Sequence, residues 1–177
     1  MNTQIKNEIN EIEDAKNFIY FYLKDKSIVD QIDFEKSKIK KDGAPDFYFK
    51  EINILLEIKT LNRKFYLDRK LFSNKNSSKE EYQIQLEEIS KLLKKSDKQL
   101  GYKLLKKSDK QLGYLSIDQD TEKIVLIVNQ YPYLLNIYQY QYIQFKEFVK
   151  KYKFINTNKV YFQYRDENNY IQHEILY

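Results

Sequence analysis

The chain is 177 residues long, the length of one domain and enough to bury a continuous core. Its 31 Lys and Arg against 26 Asp and Glu leave a net charge of +5 and a pI near 9.0, a sign that suits a polyanionic partner such as nucleic acid. Cysteine is absent, which excludes disulfides and thiolate metal centres, and no run approaches the roughly eighteen apolar residues of a membrane span. The first eight residues carry no apolar signal core, so the expected setting is cytoplasmic. Lys, Asn, Ile and Tyr are abundant, as an AT-rich coding sequence imposes, and most of the 17 tyrosines are therefore expected at core edges rather than as base-stacking platforms.

Residues 4–24 read as a first helix, with Ile5, Ile9, Ile12, Ile19 and Leu23 at helical spacing and Glu8, Glu11, Glu13 and Asp14 on the other faces. Residues 27–41 are expected to form a strand, from the weak alternation of Ile28, Ile32, Phe34 and Ile39, ending in the turn Lys41-Asp42-Gly43. Phe47 to Lys59 contains two β-prone runs around a polar break and is predicted to be an antiparallel hairpin. Burying Phe47 and Phe49 together with Ile54, Leu56 and Ile58 requires Phe47 to face Leu56 and Phe49 to face Ile54.

That register sets Asp46 opposite Glu57. Opposed residues on adjacent strands hold their Cβ atoms roughly 5 Å apart on one side of the sheet, so Asp46, Glu57 and then Lys59 converge. Two carboxylates so close repel, and a hard divalent cation such as Mg²⁺ relieves that repulsion while completing its shell with water and phosphate oxygens. Lys59 then lies beside the attacking water, where a positive charge assists deprotonation and stabilises the charge that develops on phosphorus. Pro45, just before the strand, donates no ladder hydrogen bond and keeps Ala44 extended.

Pro45-Asp46 with Glu57-Ile58-Lys59 resembles the motif of the PD-(D/E)XK nuclease superfamily. The resemblance implies that Asp46 and Glu57 hold Mg²⁺ or Mn²⁺, that Lys59 assists the water, and that a first-helix glutamate approaches the metal. Glu11 is the favoured candidate because it borders the buried stripe, with Glu8 close behind. It also implies a restriction-endonuclease-like α/β fold: a central mixed sheet with an antiparallel catalytic hairpin, flanked by helices. The expected activity is metal-dependent hydrolysis of phosphodiester bonds in nucleic acid, DNA before RNA. The alternative is a catalytically inactive nucleic-acid- or protein-binding domain of the same fold. A homodimer is compatible with either reading.

Beyond Lys59, residues 60–79 carry Arg63, Lys64, Arg69, Lys70, Lys75 and Lys79, placed where a phosphate backbone needs neutralising. Ser78-Lys79-Glu80-Glu81 is a capping signature for a second helix. The twelve residues 91–102, Lys-Leu-Leu-Lys-Lys-Ser-Asp-Lys-Gln-Leu-Gly-Tyr, then recur unchanged as residues 103–114. Twelve residues turn an ideal helix by about 120° beyond whole turns, so the second Leu104-Leu105 cannot extend the first stripe on a straight helix. Gly101 and Gly113 supply stops. The paired Lys98-Gln99 and Lys110-Gln111 match the helical Lys-Gln of many PD-(D/E)XK enzymes, with Gln111 slightly favoured because it precedes the next strand.

Lys123 to Asn129 is a continuous apolar run, expected at the centre of the sheet. Residues 139–153 read as a third helix with Phe145, Phe148 and Val149 apolar. Residues 159–164 and 170–175 read as a hairpin about Asp166-Glu167-Asn168-Asn169, and its lone His173 is expected to be structural. The whole of residues 1–177 is read as a single domain, with a nuclease-like core over 1–130 and a C-terminal extension of helix and hairpin over 131–177.

Overall fold

The computed structural model describes residues 3–61, 104–115, 120–129, 146–147 and 149–177, with residues 3–9 and Leu61 described as backbone only. Its centre is a five-stranded mixed sheet in the spatial order β1-β2-β3-β4-β5: β1 (Phe47–Phe49), β2 (Ile54–Leu61), β3 (Glu122–Asn129), β4 (Lys159–Arg165) and β5 (Ile171–Ile175). The β1–β2 and β4–β5 pairs are antiparallel, while β2–β3 and β3–β4 are parallel. Parallel neighbours need long crossovers, and the helical residues 104–112 and 149–151 lie within the two crossovers.

The hairpin has the register required by its apolar residues, Phe47 facing Leu56 and Phe49 facing Ile54. Its bend is a 3-10 turn over Lys50–Ile52 closed by Asn53 at φ 53°, a left-handed conformation that asparagine tolerates better than most residues. Asn53 Oδ1 then accepts from Thr121 Oγ1 at 2.7 Å, tying the bend to the start of β3.

Two apolar layers follow from the alternation of side chains along the strands. On one face Phe47, Phe49, Ile54, Leu56, Ile58, Ile124 and Leu126 pack beneath α1 (Thr3–Leu23), whose Ala15, Phe18 and Ile19 are fully buried. On the other, Leu55, Val125, Ile127, Val160 and Phe162 pack against Leu105, Leu112 and Val149. β3 is the central strand, with its last six residues buried, as expected of its apolar run.

The expected strand over 27–41 is absent. α2 (Lys26–Val29) and α3 (Phe34–Ser37) stand in its place, and only Lys38 makes a lone bridge, to Phe47. The cause is local. Asp25 accepts from the backbone N–H of Ser27 and Asp33 from that of Lys36, so each aspartate caps a helical turn that weak alternation does not oppose. Two strands rather than three therefore precede the first crossover. The expected helix from residue 78 to 100 and the basic segment 62–79 lie outside the described residues, as does most of 139–153.

Phe18 gathers Tyr22, Tyr161 and His173 around its ring, with centroids 5.6, 5.0 and 5.8 Å away. Truncating a buried aromatic costs about 3–5 kcal/mol through lost transfer energy and a residual cavity. Phe18→Ala is expected to lower the free energy of urea unfolding by that amount; a loss under about 1 kcal/mol would show that α1 is not seated on the sheet as described.

Candidate functional site

Because β2 alternates, Glu57 and Lys59 project to the face opposite Leu56 and Ile58, alongside Leu55. Glu57 is fully buried there, with 0 % of its surface exposed. Lys59 Nζ forms an ion pair with Glu57 Oε1, yet neither carboxylate oxygen has a partner in hydrogen-bonding geometry. A buried acceptor left so is costly, since it has given up water without replacement.

Asp46 lies one residue before β1 and accepts from the backbone N–H of Ile58 through Oδ2 at 2.7 Å. That bond pins its carboxyl to β2 between Glu57 and Lys59. Burial raises the Asp46 pKa, against the nearby Lys59 ammonium and the Ile58 N–H. Glu57 is pushed up to about 8, first by burial and then by the charge of Asp46, with Lys59 opposing both. The two acids are therefore electrostatically coupled, and a positive charge is the natural means of ionising both.

Glu11 reaches this site only at its margin. Its Oε2 pairs with Lys38 Nζ at 2.9 Å, and its charge is felt at Asp46. Lys38, not singled out from sequence, also sits 5.9 Å from the centroid of the Phe47 ring. The side chain of Glu8 lies outside the described residues. Of the two Lys-Gln copies, the second reaches the site: Gln111 Nε2 donates to the carbonyl of Ala44 at 3.1 Å, two residues before Asp46, while its buried Oε1 has no partner. Gln99 lies outside the described residues.

The donor set suits a hard cation. Among the described residues no group of three or more His, Cys, Asp or Glu converges. A cation here would take the two carboxylates of Asp46 and Glu57 and fill its remaining positions with water or phosphate, as Mg²⁺ prefers. Glu57, buried without a well-formed hydrogen bond, has the acceptor capacity such an ion would use.

A separate polar cleft of about 170 Å³ lies between α1 and the ends of β3, β4 and β5, lined in part by Asn10, Asp14, Asn129, Gln163 and Arg165, and contains none of the three motif residues. Burial pushes Asp14 up to about 6, although Gln163 Nε2 donates to it at 2.7 Å. His173 is the next link, 2.8 Å from Gln163 Oε1 and stacked 4.4 Å from Phe21, and burial lowers its pKa to about 4. A neutral, ring-stacked histidine is a packing group, in keeping with its expected structural part. The Asp14–Gln163 link joins residues 149 apart in sequence, and no local pattern announces it.

Compared with protein-family models, with curated proteins and with solved structures, the chain gives no match. No helix among the described residues is long and apolar enough to cross a membrane.

The raised pKa of Glu57 has a consequence for stability. The folded protein holds this proton up to about pH 8, whereas the unfolded chain releases it near 4.5. Across that window the native state binds more protons, so this group makes stability fall as pH rises. Glu57→Gln keeps a neutral group at every pH. Its melting temperature without metal, measured against wild type, is expected to shift upward from pH 5 to about pH 8 and to level off above that; a difference independent of pH would show that Glu57 is already ionised in the fold.

Proposed function

We propose that this protein is a metal-dependent nuclease of the PD-(D/E)XK superfamily, hydrolysing phosphodiester bonds in nucleic acid, with DNA favoured over RNA. The observation that carries the reading is the buried Glu57 carboxylate, ion-paired yet without a well-formed hydrogen bond, held beside Asp46 and Lys59 by the hairpin register. An α/β architecture with a mixed five-stranded sheet and helical cover supports a restriction-endonuclease-like core. The net charge of +5 suits a polyanionic substrate.

Asp46 and Glu57 would hold Mg²⁺ or Mn²⁺, which when bound polarises the scissile phosphate and lowers the pKa of a water. Asp46 is already oriented for this by the Ile58 N–H, so little reorganisation is needed on binding. Lys59, drawn from its ion pair with Glu57, would stabilise the developing charge on the phosphate oxygens and assist the attacking water through its positive charge. Glu11 supplies an accessory negative charge at the rim, tempered by Lys38.

The rival is a non-catalytic binding domain in which Lys59 serves only to neutralise Glu57, and the Lys59–Glu57 ion pair favours it. Incubation with plasmid, single-stranded DNA and tRNA separates the two. Cleavage is expected with Mg²⁺ or Mn²⁺ and none with chelator, and Asp46→Ala and Lys59→Ala are each expected to lose at least ~100-fold in rate. Glu57→Gln is expected to stay folded while losing calorimetric metal binding. Cleavage that persists in Asp46→Ala or Lys59→Ala would put the site elsewhere; no metal binding at millimolar concentration with no cleavage of any substrate would establish the rival.

A further inference from the structure

The second copy of the duplicated segment, residues 103–114, is fastened by nearly every distinctive residue it contains. Leu105 and Leu112 are fully buried in the layer beneath β2, β3 and β4. Asp109 accepts from the backbone N–H groups of Ile155, Asn156 and Thr157 and from Thr157 Oγ1, at 2.8 to 3.3 Å. Gln111 holds the carbonyl of Ala44, and Tyr114 lays its ring 3.9 Å from where a Cβ on Gly43 would stand. Gly113 passes so close to Asn156 that a Cβ there would fall 2.7 Å from its side chain.

Residues 91–102 lie outside the described residues, but their sequence repeats this equipment without a change: Leu93, Asp97, Gln99, Leu100, Gly101 and Tyr102 stand for Leu105, Asp109, Gln111, Leu112, Gly113 and Tyr114. We propose that the surface formed by Gly43, Ala44 and residues 155–157 is a docking site that accepts either copy, so that residues 92–102 replace residues 104–114 in a second register of the same fold. Over the twelve repeated residues identical side chains make identical contacts; beyond them the registers differ in their linkers and in Leu115, which packs against the buried layer and has Lys103 as its counterpart. With the second copy docked, residues 62–103 lead from β2 and residues 115–121 lead to β3. With the first, residues 62–91 lead in and 103–121 lead out. Loop-closure entropy changes only with the logarithm of length, so neither register is strongly disfavoured and both are populated. The exchange moves twelve residues, four of them lysines, from one side of the docked helix to the other while keeping a glutamine on Ala44. It stands independently of the nuclease reading.

The chain has no cysteine, so introduced pairs report alone. Gly113→Cys with Asn156→Cys reports the second copy; Gly101→Cys with Asn156→Cys reports the first, and the approach of Gly113 to the Asn156 side chain brings the two positions close enough to crosslink. In the full-length protein both pairs are expected to form intramolecular disulfides under mild oxidation, read by non-reducing electrophoresis and peptide mass. Adding Asp109→Ala to the Gly101 pair is expected to raise its crosslinked fraction at least twofold, and Asp97→Ala to lower it. Melting supplies a second readout: Asp97→Ala/Asp109→Ala is expected to melt well below either single variant. Crosslinking confined to the Gly113 pair, with Asp109→Ala melting as low as the double variant, would overturn the proposal. So would a Gly101 pair that yields only crosslinked dimers, which would place the first copy on another molecule.

Discussion

The constraint on which the rest depends is the burial of an ionisable carboxylate in the middle of a sheet face. Glu57 lies between Leu56 and Ile58, both core residues of the opposite layer, and a one-residue slip of β2 that turned it to the other face would carry them out of their layer. The fold thus accepts an electrostatic penalty in exchange for apolar burial. Everything near Glu57 answers that penalty in part: the Lys59 ammonium touches it, and Asp46 is held beside it by a backbone N–H rather than turned out to solvent. None of these supplies Glu57 with a well-formed hydrogen bond. Polar groups left in this condition in native structures usually mark a place where something else binds.

The parts of this arrangement legible in the sequence are those dictated by alternation over several consecutive residues. Phe47 and Phe49 share a layer with Ile54, Leu56 and Ile58 in the register their tight bend allows, and that register brings Asp46, Glu57 and Lys59 together. The apolar run of β3 and the turn-punctuated β4–β5 hairpin follow the same logic. The long first helix was likewise readable from its period, although Phe18, the residue its packing turns on, stood outside the isoleucine stripe.

The rest was hidden for identifiable reasons. Over residues 27–41 the apolar positions fit a strand loosely, while Asp25 and Asp33 act through side-chain capping bonds that outweigh so weak a pattern. The Glu11–Lys38 and Gln111–Ala44 links join residues far apart in sequence, with separations of 27 and 67. Such pairings depend on where whole elements come to rest, which no local period encodes. Asp109 is the sharpest case: among the lysines of the repeat it reads as a surface charge, yet it is buried and ties the first crossover to the turn that precedes β4.

Two polar clusters on the sheet answer the same electrostatic problem in opposite ways. At the amino-terminal ends of β3 and β4, Tyr22 donates to Glu122 at 2.5 Å and accepts from Lys159 at 2.7 Å, while Lys159 and Glu122 pair directly at 2.6 Å. That cluster closes on itself; acid, base and hydroxyl satisfy one another, and nothing further is needed from solvent or ligand. Midway along β2, two acids share one lysine; Glu57 meets it without a well-formed hydrogen bond, and Gln111 Oε1 is buried with no hydrogen-bond partner. Each of those oxygens is an acceptor, so positive charge or hydrogen-bond donors are what would satisfy them.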